Sequence, residues 1–116
     1  MNEQQVLLLD LRDEPAAIAA YDAWHAPGAV PAAVIAGIRA AGIADMRIFR
    51  TGNRLVMLLD TTAAFDPVAK AERDAADPAI AAWEALMGEL QVPIASAPSG
   101  ERWTRAGCIF ALDEHA

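Results

Sequence analysis

Apolar residues in this chain follow two rhythms, and each change of rhythm marks an element. The run QVLLLDL at 5–11 is apolar at nearly every position and stops at Arg12-Asp13, which predicts a short strand. Asp13 then stands where an N-cap is expected, with Glu14 and Pro15 in the first helical turn, and EPAAIAAYDAWHA predicts a helix to about Ala26. Pro27-Gly28 interrupts it. A second helix is expected from Pro31, with Val34, Ile35, Ile38 and Ala41 as its stripe and Gly42 as its C-terminal cap.

The rhythm then shortens. IADMRIFR (43–50) and RLVMLLDT (54–61) predict two strands joined through Gly52-Asn53, a hairpin signal. A short helix follows, with Asp66 before Pro67, and a longer one with Asp77 before Pro78. The longer helix carries Ile80, Trp83, Met87 and Leu90 at helical spacing. A proline-rich connection, QVPIASAPSGERW, leads to a last expected strand at 104–112 and a frayed tail.

The expected order is β-α-β-β-α-β, the split or ferredoxin-like plan of the α+β class, in one domain over 1–116. Every strand is apolar at nearly every position, so both faces of the sheet are expected to be covered. Helices in so short a chain cover one. A second copy of the chain would cover the other, giving a dimeric α/β barrel with two sheets face to face.

Composition narrows the function. The chain is 55% hydrophobic, ample for a core, and its net charge is −7. Its nine basic residues are scattered, which argues against nucleic-acid binding, because phosphate neutralisation needs clustered Lys or Arg. No run of about twenty apolar residues exists for a membrane span, and the first residues do not read as a signal peptide. The single cysteine, Cys108, fits a reducing cytoplasm and is expected to be a buried, inert thiol in the last strand. Two histidines and no ligand-spaced motif give no metal site and no cofactor loop.

Candidate chemistry gathers in YDAWH, 21–25. Tyr21 and His25 are four apart and share a helix face. Histidine moves protons near neutral pH, so His25 is a candidate acid/base and Tyr21 its hydrogen-bonding neighbour; a plain helix end is the simpler reading. Trp83 reads as core or as an apolar platform for a sugar ring. Trp103 is expected at the mouth of a cavity beside the sheet, with an indole N–H to donate. Glu84 and Glu101 are candidate hydroxyl acceptors, or solvated carboxylates. Asp10 interrupts the first strand and Asp60 ends the third; buried, either would need partners, which Arg39, Arg47, Arg50 and Arg54 could supply.

Taken together, YDAWH, a proline opening the next helix, AGI, NRLVMLLD, DPAIAAWEALM, and a tryptophan just before the last strand with IFAL resemble the L-rhamnose mutarotase family over about residues 5–112. The resemblance implies a small dimeric α/β protein that interconverts sugar anomers without a cofactor. It implies His25 as the acid/base and Tyr21 as a sugar contact. The family's paired tryptophans meet Trp83 here, but Glu84 replaces the second. Met46 stands where a tyrosine is frequent. The break HAPGAVP is one residue longer than the rhamnose-type spacing and lacks its tryptophan. These departures fall at sugar contacts, so the resemblance implies that the chemistry is kept and the sugar differs, with L-fucose or L-rhamnose as substrate. WEALM and GERW look closer to relatives acting on L-fucose. On that reading Trp83 and Trp103 form walls, and Glu84 and Glu101 select hydroxyls. Two rival readings are a cofactor-independent dimeric α/β-barrel monooxygenase and a non-catalytic sugar-binding module.

Overall fold

The computed structural model describes residues 2–115. Its elements run β1 (Glu3–Leu11), α1 (Pro15–Trp24), α2 (Ala32–Ala40), β2 (Ile43–Thr51), β3 (Arg54–Thr61), α3 (Pro67–Ala76), α4 (Pro78–Leu90), β4 (Gln91–Val92) and β5 (Thr104–Ala106), then a 3-10 turn at Leu112–Glu114. The α+β class holds. One antiparallel sheet has the order β2-β3-β1, with β4 and β5 sharing the free edge of β1, which is the order a split β-α-β plan produces.

Helix boundaries follow local chemistry. Asp66 accepts from the backbone N–H of Val68 and Ala69, and Asp77 from those of Ala79 and Ile80, so each occupies orphan donors of its helix. The expected cap at Asp13 is not made. Pro15 keeps the residue before it out of the helical region, so Glu14 is extended at φ −134° and takes the cap position without a side-chain bond. Gly42 ends α2 at φ +87°, and a Cβ there would lie 2.9 Å from the Phe65 backbone nitrogen. Only glycine meets both demands.

Alternation along the strands divides the sheet into two faces. Leu9, Leu11 and Leu55 are fully buried and pack with Tyr21, Val34, Ile80, Trp83 and Met87 from the helices. A bulge between Ile43 and Asp45 inserts one extra residue against β3. It shifts the phase of β2, so that Ile43 and Met46, three apart, both join the helix-side cluster with Leu59. The opposite face carries Val6, Leu8, Val56 and Leu58, paired across the strands, and beside them Phe49, which is 49% exposed. Among the described residues, none of these five joins either core cluster. Within the single chain the helices cover one face and leave the other open, as expected for so short a chain. Asp10 finds its partner on that face: it lies opposite Arg54, whose Nε and Nη2 donate to its carboxylate at 2.8 and 3.1 Å.

The last strand is much shorter than expected. Its ladder with β1 ends at Ala106, opposite Val6, and 107–111 have no strand partner among the described residues. Cys108 is therefore exposed rather than buried. Ile109, Phe110 and Leu112 beside it are exposed as well, Ile109 completely.

Candidate active site

Between the helix-side face of the sheet and the four helices lies a cavity of about 460 Å³. That is within the range typical of small-molecule sites, about 300–1,000 Å³. Sheet residues Leu7, Met46, Ile48 and Met57 floor it, and one end gathers Tyr21, His25, Trp83, Glu84, Gln91 and Trp103.

His25 is placed by the end of α1. It is the first residue past Trp24, half-buried, and its own N–H still bonds back to the carbonyls of Tyr21 and Asp22. Pro27 and Gly28, the latter at φ +82°, then turn the chain away. The imidazole stacks on Tyr21 with ring centroids 4.0 Å apart and meets the Trp83 indole edge-on at 5.4 Å. Its Nδ1 lies 2.7 Å from the Tyr21 carbonyl oxygen. A carbonyl only accepts, so Nδ1 carries the proton and the neutral ring has its lone pair on Nε2. The backbone thus fixes both tautomer and ring orientation, leaving one nitrogen as a base.

Tyr21 is 3% exposed. Burial pushes its hydroxyl up to about 12; a side-chain hydrogen bond with Gln91 opposes the rise, the Glu84 carboxylate reinforces it, and the Arg102 guanidinium lowers it again. The hydroxyl is therefore a neutral donor or acceptor throughout the physiological range. A testable consequence lies at alkaline pH. A group whose proton is held more tightly in the folded state stabilises that state below its unfolded pKa, near 10, and the contribution is lost as pH rises towards 12. Between pH 9 and pH 11, wild type is expected to lose more stability than Tyr21→Phe. Paired urea-unfolding curves at the two pH values check this, and parallel losses would contradict it.

The mouth is held by an arginine. Arg102 Nη2 donates to the Glu84 carboxylate at 2.6 Å, and Nη1 donates to the Glu84 carbonyl at 3.2 Å and to Gln91 Oε1 at 3.1 Å. It lies across α4 at Gly88, where a Cβ would stand 2.8 Å from Nη1. At the far side of α1, Arg50 grips Asp22 through two bonds of 2.8 and 2.7 Å. Those bonds hold the Asp22 carboxyl below the usual carboxylate range; desolvation opposes the shift, and the charges of Arg50 and His25 add to it.

Of the residues expected in the site, Tyr21, His25, Trp83, Glu84 and Trp103 line the one cavity. Trp83 serves both readings, buried in the core and lining the cavity. Glu101 does not line it; it is exposed, with its N–H on the Pro98 carbonyl, and the neighbouring Arg102 turns towards Glu84 instead. Sequence reasoning missed Arg102, Gln91, Lys70 and Asp74. One signal was available for the first two: Glu84, Gly88 and Gln91 fall at i, i+4 and i+7, an acceptor, a notch and an amide on one stripe.

The L-fucose mutarotase of Xanthomonas campestris pv. campestris is 51% identical over 107 residues, covering 92% of this chain and 86% of the relative. The crystal structure of an L-rhamnose mutarotase from Formosa agariphila superposes with a TM-score of 0.65 over 94% of this chain and 97% of that one; at 15% identity the likeness is one of fold. A family model described as L-rhamnose mutarotase matches residues 4–112, nearly the whole chain, and the chain belongs to the L-rhamnose mutarotase family.

Proposed function

We propose that the chain is an isomerase, a sugar mutarotase that interconverts the α and β anomers of a 6-deoxy-L-hexose, L-fucose in preference to L-rhamnose. The observation that carries the reading is His25, anchored through Nδ1 with Nε2 left as its one free basic nitrogen in a cavity walled by Trp83 and Trp103. Nε2 takes the proton from the anomeric hydroxyl. The bond from the anomeric carbon to the ring oxygen breaks as that oxygen receives a proton, and the ring opens to the aldehyde. Both oxygens are on the same carbon, so one imidazole serves both transfers. Rotation of the aldehyde and the reverse steps give the other anomer. Tyr21 lies against the imidazole and offers a neutral hydroxyl to the sugar, and Glu84 at the mouth selects among hydroxyls. The L-fucose preference is supported by the 51% identical relative and by Glu84 where the second tryptophan of the family's pair is frequent.

The test is saturation transfer between the anomeric protons of each sugar with catalytic protein. Exchange is expected to accelerate for L-fucose more than for L-rhamnose, and no acceleration with either would overturn the reading. The monooxygenase and binding-module readings gain no support from the relatives.

The active form in this proposal is a homodimer in a reducing cytoplasm, a ferredoxin-like protomer closed into a dimeric α/β barrel. Val6, Leu8, Phe49, Val56 and Leu58 make an apolar face, and Ile109, Phe110 and Leu112 make an exposed apolar arm beside it. Apolar groups gathered in this way mark an interaction surface. A second copy would cover the face with its own and receive the arm along its edge. One unpaired cysteine fits the compartment.

A further inference from the structure

The cavity has a second polar place, at the end away from Tyr21. Lys70 and Asp74, one turn apart on α3, line it and form an ion pair. Their side chains are 25% and 18% exposed, while Val68 on the same helix stands 66% exposed. The helix is thus partly inverted, with a charged pair turned inward and a valine turned out. Taking a lysine and a carboxylate out of water costs more than a well-packed apolar pair would. Around them the lining is apolar, with Ile35, Ile38 and Phe65. Packing alone gives no reason for the charges.

We propose that Lys70 and Asp74 form the polar end of the sugar site and hold the ring hydroxyl opposite the anomeric carbon. This rests on the mutarotase reading of the same cavity. The placement of the pair carries it. Asp74 lies beside Gly37, within 3.8 Å of a Cβ built there, and the Ile80 side chain reaches the same point. His25 lies against Trp83. Ile80 and Trp83 are successive turns of α4, so the two polar places lie at different points along the cavity. A pyranose with its anomeric carbon at His25 turns the hydroxyl on the opposite ring carbon towards the other place. An ammonium donates and a carboxylate accepts, so the pair satisfies both roles of a hydroxyl, while the apolar lining between them takes the C–H faces of the ring.

The experiment compares L-fucose with its 4-deoxy analogue on wild type and on Lys70→Met/Asp74→Asn, by anomer-exchange kinetics. Wild type is expected to show a KM at least about tenfold higher for the deoxy sugar, as for the loss of a hydrogen bond to a charged group. The variant is expected to show the same rise with L-fucose, falling on KM rather than kcat, and no further penalty for the deoxy sugar. Equal KM values of wild type for the two sugars would overturn the proposal, and that comparison needs no variant to fold. An unmoved KM in the folded variant would overturn it too, and leave the mutarotase reading standing. If wild type itself fails to accelerate exchange, the mutarotase reading fails, and titration of L-fucose followed at the Lys70 and Asp74 NMR signals decides the pair separately: shifts there support it, their absence overturns it.

Discussion

A His25→Gln variant is expected to lose about 10²–10⁴-fold of its anomer exchange rate, the usual contribution of one positioned acid/base, while keeping its fold. The glutamine amide can still donate to the Tyr21 carbonyl, so the end of α1 keeps its hydrogen bond. What it lacks is a nitrogen that accepts and returns a proton. The site is half-buried at a helix terminus and outside the fully buried Leu9, Leu11 and Leu55, so the change opens no large cavity. Saturation transfer reads the rate and circular dichroism the fold. A folded variant within tenfold of wild type would remove His25 from the chemistry. An unfolded one would instead show that the stack on Tyr21 is structural, and His25→Asn would then replace it in the test.

The second large effect concerns assembly. Val56→Asp is expected to convert the proposed dimer into a monomer. Val56 sits in the cross-strand row Phe49, Val56, Leu8, Thr104, in the middle of the open face. In a two-fold interface each change occurs twice, so the variant buries two carboxylates of like charge. An unpaired buried charge costs several kcal/mol, and about 3 kcal/mol already raises Kd more than a hundredfold. Sedimentation equilibrium should show the mass falling from twice 12.3 kDa to that value. Val68→Asp is the control, an apolar residue exposed on α3 away from this face, and is expected to change nothing. A wild type that sediments as a monomer at every concentration would defeat the dimer.

What the sequence shows depends on how far each feature reaches along the chain. Asp66, Asp77 and Gly42 act within one turn of themselves, and each is legible from its neighbours. Tyr21 and His25 share a face because a helix has a period, and the cavity wall they make was readable for that reason. The 107–112 segment misleads because its composition reports a place to be buried that one chain does not provide. Glu101 and Arg102 differ for another reason. They are adjacent in an irregular loop, where no period says which side chain turns inward, and the arginine does. Lys70 and Asp74 are not singled out by the sequence because α3 is mostly alanine and carries no large apolar stripe to say which side faces in, and only its docking beside Gly37 turns them towards the cavity.

The bulge at Ile43–Asp45 absorbs one residue without disturbing the pairing that follows it. Beyond it, the ladder with β3 keeps Met46 and Ile48 on the cavity side and Arg47 and Phe49 on the open face. A residue lost beside the hairpin, at Thr51, would exchange them, lining the cavity with an arginine and a phenylalanine and emptying the open face of its aromatic ring, whereas the loss of Ala44 would only straighten the strand. Length is therefore constrained along the paired part of β2, and drift by insertion or deletion is confined to places such as the bulge itself and the loop at 93–102, where no alternation has to be kept in step.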